Sequence, residues 1–420
     1  MDHFNYRNGQ LYAEDVSVAE IAESVGTPFY VYSTATLVRH FQLFDDALKG
    51  MDHCICYAMK AASNQAILKT LGNLGAGMDV VSGGEYRRAI SAGIPPEKVV
   101  FSGVGKTLEE ITLALQNGIR QFNVESDSEL EQISAIASSM NKIAPIAIRI
   151  NPDVDAQTHE KIATGKAENK FGIPISRARD VYSKASQMPG ISVVGIDLHI
   201  GSQLTDLEPF KKAYQKLADL TQVLRQDGHK IKRLDLGGGL GIPYEKNKSA
   251  PPLPAEYGKM VSEVLGHLDC EIEIEPGRLI VGNAGILVSS VLGVKNGDNR
   301  NFLILDAAMN DLIRPAMYDA YHDIIPVKQP GSTEAVYDVV GPVCETGDTF
   351  AKKRTMPEVS ENDLVAFRSA GAYGAVMSSE YNTRPLIPEV MVNKNEFSII
   401  RKRPSYEEII DRDIMPNWLK

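Results

Sequence analysis

Cysteine is scarce in this 420-residue chain. It has four, Cys54, Cys56, Cys270 and Cys344, with no C-x-x-C among them, so reduced thiols are expected rather than a disulfide frame or a zinc motif. Long apolar runs are missing as well. No window approaches the roughly 18 uncharged residues of a membrane span, and the first twenty residues carry several acids but no apolar stretch of signal-peptide length. A cytoplasmic protein is expected, with no membrane partner. Basic runs are absent and the formal net charge is −10, with a pI near 5.4, which makes nucleic acid a poor partner. A small anionic ligand must then depend on individual arginines. The sequence shows no strong internal repeat and no low-complexity tract.

Two nucleotide signatures fail by single residues. After Gly237-Gly238-Gly239-Leu240-Gly241, the pattern GxGxxG needs glycine where Ile242 stands, and Pro243 follows instead of a helix. In Phe101-Ser102-Gly103-Val104-Gly105-Lys106-Thr107, the first glycine of GxxxxGK[ST] is replaced by Val100. An ATPase is rejected on that ground, and Lys106 is left with a default role at the start of a helix.

What is present is a strong alternation of elements. Residues are 43% apolar, enough for a packed interior, and the length favours two domains. Short apolar runs at Cys54 to Met59, Met78 to Val81, Val99 to Ser102, Gln121 to Val124, Ala144 to Ile150, Val193 to His199, Arg233 to Leu236 and Glu271 to Glu275 alternate with helical patterns such as Asn64 to Leu71, Leu108 to Gln116, Glu129 to Met140 and Phe210 to Leu224. Eight βα units over this length predict an α/β fold, a (β/α)8 barrel over residues 25–280; an open doubly wound sheet is the competing reading and normally needs fewer strands. After Gly282 the texture changes to Val, Ile, Thr and Tyr runs between turn residues: Gly285 to Val294, Asn301 to Asp306, Tyr337 to Gly341, Asp363 to Phe367 and Glu396 to Arg401. That predicts an antiparallel β-sandwich or small barrel over 281–420, taken together with residues 1–24. The longest unpatterned stretch is Asn151 to Pro174, a length of loop that is usually functional or disordered.

The segment richest in chemistry is Glu271-Ile272-Glu273-Ile274-Glu275-Pro276-Gly277-Arg278. Alternation puts the three glutamates on one face, where they repel unless a cation is near, so a positive group is expected beyond the strand end. A protonated ring nitrogen of an aromatic cofactor would meet that demand. Lys60 closes the first strand, at the end where barrel active sites lie. It reads either as a lysine reaching solvent or as a partly desolvated amine that attacks an aldehyde. The glycines at 237–241 follow the seventh strand, where this fold often binds phosphate through backbone N–H groups, although a plain glycine turn is the alternative. His199-Ile200-Gly201-Ser202 ends the sixth strand. His199 there could lie flat on an aromatic ring with the Ser202 hydroxyl free for a phosphate, or be a hydrogen-bonded structural histidine. Asp79, ending the second strand, could be a simple helix-side polar group.

In the second region Arg314 and Tyr318 are four apart. They share a face if the segment is helical, which Pro315 puts in question, and together they suit a carboxylate. Gly341 to Asp348 holds Cys344 and Glu345 in a Gly/Pro-bounded turn. Such a thiol is either a small buried hydrophobe or, beside polar groups, a reactive one. Tyr373 sits on the small-residue loop Gly371-Ala372-Tyr373-Gly374-Ala375, placed to bond a phosphate.

Taken in order, Tyr57-Ala58-Met59-Lys60, His199-Ile200-Gly201-Ser202-Gln203, the 237–241 glycines, Glu275-Pro276-Gly277-Arg278, Cys344-Glu345 and Ala372-Tyr373-Gly374 resemble the pyridoxal-phosphate decarboxylases of the alanine-racemase-like barrel fold. The likeness spans nearly the whole chain. Ile162-Ala163-Thr164-Gly165 with Lys170-Phe171-Gly172 looks like the diaminopimelate branch of that family, and Cys344-Glu345 fits that branch better than the Cys-Asp of its ornithine and arginine members. Ala163 and Thr346 stand where many members have serine.

The resemblance implies pyridoxal 5'-phosphate as cofactor and decarboxylation of meso-2,6-diaminopimelate to L-lysine, the last step of lysine biosynthesis, with a related basic amino-acid decarboxylase as the alternative. It implies that Lys60 holds the cofactor, that Glu275 keeps its ring nitrogen protonated and that His199 stacks on the ring. Asp79, Ser202, Gly239, Pro276, Gly277, Arg278 and Tyr373 complete the cofactor site. Arg278, Arg314 and Tyr318 are implied for the substrate's distal carboxylate, Glu345 for its distal ammonium and Tyr373 for substrate binding, and Cys344 for protonating the carbanion across a homodimer with shared sites. Non-catalytic relatives tend to lose the lysine or the thiol, and this chain keeps both.

Overall fold

A computed structural model describes residues 2–155, 170–245, 250–329, 331 and 333–419. The chain separates into two compact units, one of Val38–Pro243 with Lys248–Ile280, the other of Met1–Leu37 and Val281–Lys420 with Tyr244–Asn247.

The first unit is a closed parallel barrel. Its strands are His53–Ala58, Gly77–Val80, Val99–Phe101, Gln121–Val124, Ala144–Asn151, Ile191–Asp197, Arg233–Asp235 and Glu271–Ile274. Each pairs in parallel with the next, and the eighth returns to the first through Glu273↔Cys54. The strands are almost wholly buried because both faces are covered, which is why they read as apolar runs. The helices of the first half of the barrel start where a side chain can satisfy an N–H of the first turn. Asn64, Ser82, Thr107 and Ser126 each accept a bond from the first turn of the following helix, and Glu110 completes a reciprocal box with Thr107. Lys106 lies just ahead of that box. Its buried amine pairs with Glu129 at 2.5 Å and donates to two carbonyls, a structural position in keeping with the default reading.

The second unit is mostly strand. Its principal sheet runs Thr349–Pro357, Glu334–Val340, Asn301–Leu305, Gly285–Asn296, Phe29–Ser33, Glu389–Asn393 and Glu396–Arg401, with Leu364–Phe367 and Ile324–Pro326 branching from the central long strand. Most pairings are antiparallel; Asn301–Leu305 with Glu334–Val340, and Phe29–Ser33 with Glu389–Asn393, are parallel. Phe4, Leu11, Val18 and Ile21 of the N-terminal hairpin and first helix pack on Phe29, Val31, Ile286, Val288 and Val390 to form its core. Residues 25–37, grouped with the barrel in the sequence reading, fall in this unit. Phe29–Ser33 is buried on both faces and hydrogen-bonded on both edges within the sheet.

Candidate active site at the barrel mouth

The C-terminal ends of the strands gather a set of buried polar groups. Lys60 lies in the turn Met59–Ala61 just past the first strand, and its Nζ donates to Asp79 Oδ2 at 2.9 Å. The Asp79 side chain is fully buried and its other oxygen has no hydrogen-bond partner, so the helix-side alternative for this residue falls away. Glu275 follows the eighth strand. Its backbone N–H bonds Gly237 O at 2.7 Å, and its Oε1 accepts only neutral donors, Ser102 Oγ and Asn123 Nδ2, both at 3.3 Å. Burial pushes its pKa well above the carboxylate range; Asp79 and Asp197 add to the rise and Lys60 opposes it.

The cation anticipated for this strand is therefore divided. Arg120 bonds Glu271 at 2.5 Å and Glu273 at 2.6 Å, and Arg233 bonds Glu271 at 2.9 Å. Two of the three carboxylates are neutralised by the chain's own arginines. Glu275 has no ion-pair partner among the described residues.

His199 lies beside the glycine loop, and its ring is neutral. Gly238 N–H donates to Nδ1 at 3.2 Å, so that nitrogen carries no proton. Burial pushes the ring's pKa well below the usual value, with Arg149 and Lys60 adding to the effect. The glycines are required by space. A Cβ on Gly237 would meet His199 Nδ1 at 2.6 Å, one on Gly238 Glu275 O at 2.3 Å, and one on Gly239, at φ +110°, Gly201 O at 2.4 Å. The loop's N–H groups are not all aimed outward, as the sequence suggested. Gly237 donates to Asp235, Gly238 to His199 and Gly241 to Leu204, while no acceptor for Gly239 N–H is found among the described residues. Ser202 is not free either. Arg278 donates to its Oγ at 3.0 Å, leaving the hydroxyl proton for another acceptor. Pro276 O accepts from Ala58 N–H, and Gly277 lies where a Cβ would press on Ala58 and Ala61, locking the turn to the Lys60 segment.

Several polar residues beneath this set were missed. Asn123 donates to Ser102, Asp235 and Glu275. Arg149 pairs with Glu125 at 3.0 Å and approaches Asp197 at 3.9 Å. Burial raises Asp197 to about 7 against the pull of Arg149, and Asp235 well above its usual range with Glu275 adding to the rise. The one available signal was a polar residue interrupting an apolar strand.

The remaining candidates belong to the strand-rich unit. The helix Arg314–Tyr318 forms with Pro315 in its first turn, where a proline costs no hydrogen bond, so Arg314 and Tyr318 do share a helix. Arg314 is buried, 5.0 Å from the Tyr244 ring centroid and 2.9 Å from His322 Nε2. Cys344 is exposed in a turn pinned by Asp348, whose carboxylate accepts Met309 and Val343 N–H groups, and Cys344 N–H bonds Asn382. Glu345 is exposed and accepts Gly347 N–H. Tyr373 is half-buried at φ +56°, between glycines that a Cβ would push into Val281 O and Tyr30 Oη. Ile162 to Gly165 lies outside the described residues, whereas Phe171 stacks under Arg149 at 4.9 Å.

This arrangement fits a cofactor that brings an aldehyde, a ring cation and a phosphate. Asp79 keeps an oxygen without hydrogen-bond partner, Glu275 is a buried carboxylate in no ion pair among the described residues, and Gly239 offers an N–H at a place where no side chain fits. Residues 34–282 match the model of the pyridoxal-dependent decarboxylase pyridoxal-binding domain. The chain is 48% identical to a diaminopimelate decarboxylase of Zymomonas mobilis over 99% of both chains, and 51% identical to one of Vibrio cholerae over 96% of both. The crystal structure of diaminopimelate decarboxylase from M. jannaschii in complex with L-lysine superposes with a TM-score of 0.95 at 37% identity, covering 100% of this chain and 99% of that one. The chain belongs to the diaminopimelate decarboxylases, a family of pyridoxal-dependent carboxy-lyases.

Proposed function

We propose that this protein uses pyridoxal 5'-phosphate to decarboxylate meso-2,6-diaminopimelate to L-lysine and CO2, closing lysine biosynthesis. The observation that carries the reading is Glu275, a buried carboxylate with no ion-pair partner among the described residues, in the same barrel mouth as a lysine at a strand end. When bound, the cofactor supplies an electron sink for the charge left on the α-carbon as CO2 departs. Lys60 tethers the cofactor's aldehyde carbon, and Asp79 orients that amine. Glu275 holds a proton at the ring nitrogen; each pKa unit it adds there corresponds to about 1.4 kcal/mol between the two protonation states. His199, neutral, would pack against the cofactor ring. Gly239, Ser202, Tyr373 and the Pro276-Gly277-Arg278 turn hold the phosphate.

The substrate's distal carboxylate is taken by Arg278, Arg314 and Tyr318 and its distal ammonium by Glu345, with Tyr373 also in the substrate site. Cys344 delivers the proton to the α-carbon. It does so across a homodimer, as an exposed thiol suits, in a cytoplasmic enzyme. Activity recovered on mixing inactive Lys60→Ala with inactive Cys344→Ala subunits supports that crossing, and none after verified subunit exchange removes it.

A related decarboxylase acting on ornithine, arginine or carboxynorspermidine is the rival. CO2 release from each of these and from meso-diaminopimelate, with cofactor present, decides between them. Turnover of a rival substrate and none of diaminopimelate defeats this reading.

A further inference from the structure

Cys54 and Cys56 take no part in the mouth. The first strand runs on from them to Ala58, about 13 Å beyond Cys54 at 3.3 Å per residue, so they sit toward the opposite end of the barrel. The spacing is not the C-x-x-C of the common zinc motifs, but on a strand alternate residues share a face. Their sulfurs lie 3.7 Å apart. Two thiolates on one tetrahedral zinc ion, with bonds of about 2.3 Å, are separated by about 3.8 Å, so the pair already has the bite of a chelate. Glu273 is in direct register with Cys54 on the neighbouring strand, and one of its carboxylate oxygens lies within 4.8 Å of both sulfurs. Its side chain is fully buried. Oε2 bonds Arg120, while Oε1 has no hydrogen-bond partner. Among the described residues no other three His, Cys, Asp or Glu side chains come together in this way.

We propose that Cys54, Cys56 and Glu273 bind one thiophilic divalent cation of the zinc or cadmium type, clipping the first strand to the eighth. The charges suit it. Glu271 and Glu273 are already balanced by Arg120 and Arg233, so the ion's two charges are met by the two thiols, each losing its proton as a metal–sulfur bond forms and two protons leaving to solvent. Half-buried Cys54 leaves room for water as a fourth ligand.

The test is a titration of chelator-treated, pyridoxal-phosphate-loaded full-length protein with Cd2+ and with Zn2+, following thiolate-to-cadmium ultraviolet absorption, bound metal per chain and protons released. One ion and two protons per chain are expected. Cys54→Ser and Cys56→Ser should each weaken binding by at least about tenfold, since even a group outside the ligand shell costs that much, whereas Cys270→Ser and Cys344→Ser should not. Binding that survives in the Cys54→Ser/Cys56→Ser double variant, or that vanishes in Cys344→Ser, overturns the site. Should Cys56→Ser fail to fold, Cys54→Ala at the half-buried position decides alone, with unchanged affinity counting against the proposal.

Discussion

Glu273 and Glu275 are two residues apart at the end of one barrel strand, are both buried, and have opposite surroundings. Glu273 meets the Arg120 guanidinium at 2.6 Å, and the same arginine also holds Glu271. Glu275 meets a hydroxyl and an amide. One end of the barrel interior is neutralised by the chain itself and can stand alone. The other accumulates Asp79, Asp197, Asp235 and Glu275, all nearly inaccessible, with Lys60 and Arg149 as the nearby cations. An unpaired buried carboxylate is costly, so the asymmetry marks where a positive ligand belongs.

The largest effect that breaks the comparison is at Lys60. Lys60→Ala removes the amine opposite Asp79 and should abolish CO2 release together with the lysine–cofactor adduct trapped by borohydride. Retained turnover would strip Lys60 of its tethering role. Next is Glu275→Gln, close in shape and still able to bond Ser102. It should lower kcat roughly 100- to 1,000-fold, the scale of losing one preorganised electrostatic contact, with KM little changed. A variant that loses only affinity would place Glu275 in binding rather than in proton holding.

At the other end the expectation is reversed. Arg120→Ala leaves Glu273 buried without its cation and should cost about 3–5 kcal/mol of folding stability, read from denaturant midpoints, while the folded fraction keeps its kcat. Loss of kcat with unchanged stability would mean that the two ends are not independent.

How much of this was legible in the sequence follows from the same physics. The eight barrel strands were readable because strands covered on both faces become short apolar runs with capped helices between them. The glutamate alternation also announced a cation. It could not say that the cation was Arg120, which comes from the loop ahead of the fourth strand and is 151 residues from Glu271. Phe29–Ser33 was not singled out as a strand and fell inside the barrel range, since a run buried on both sides carries no mark of which sheet buries it. Thr349–Pro357, with Lys352, Lys353 and Thr355 exposed, was missed because half its residues resemble a loop. Asn123, Asp197 and Asp235 are polar letters set between apolar neighbours, and only the closed barrel shows that they converge beneath Glu275.

The smallest effect is the sharpest test of the comparison, because the two ends should respond to pH with opposite sign. Burial raises Glu275, Asp197 and Asp235 in the folded state. Between the ordinary and the raised pKa the folded chain therefore holds more protons than the unfolded one, and the stability these groups contribute is complete at low pH and lost as pH rises. For Asp197 the window runs from 3.8 to about 7. Glu271 behaves the other way. Burial pushes it up, but Arg120 and Arg233 outweigh burial and hold it below its usual value, so its contribution is present above the carboxylate range and lost as pH falls. In cofactor-free protein, Tm should therefore fall from pH 6 to pH 8 more steeply in the wild type than in Glu275→Gln, by about 1–3 °C. His199, whose lowered pKa acts in the opposite sense, is common to both proteins and cancels in the difference. Saturating pyridoxal phosphate should erase that difference, since a ring cation beside Glu275 lowers its pKa. Identical slopes in the two cofactor-free proteins would mean that Glu275 is already ionised, and the contrast between the two ends of the strand would be lost.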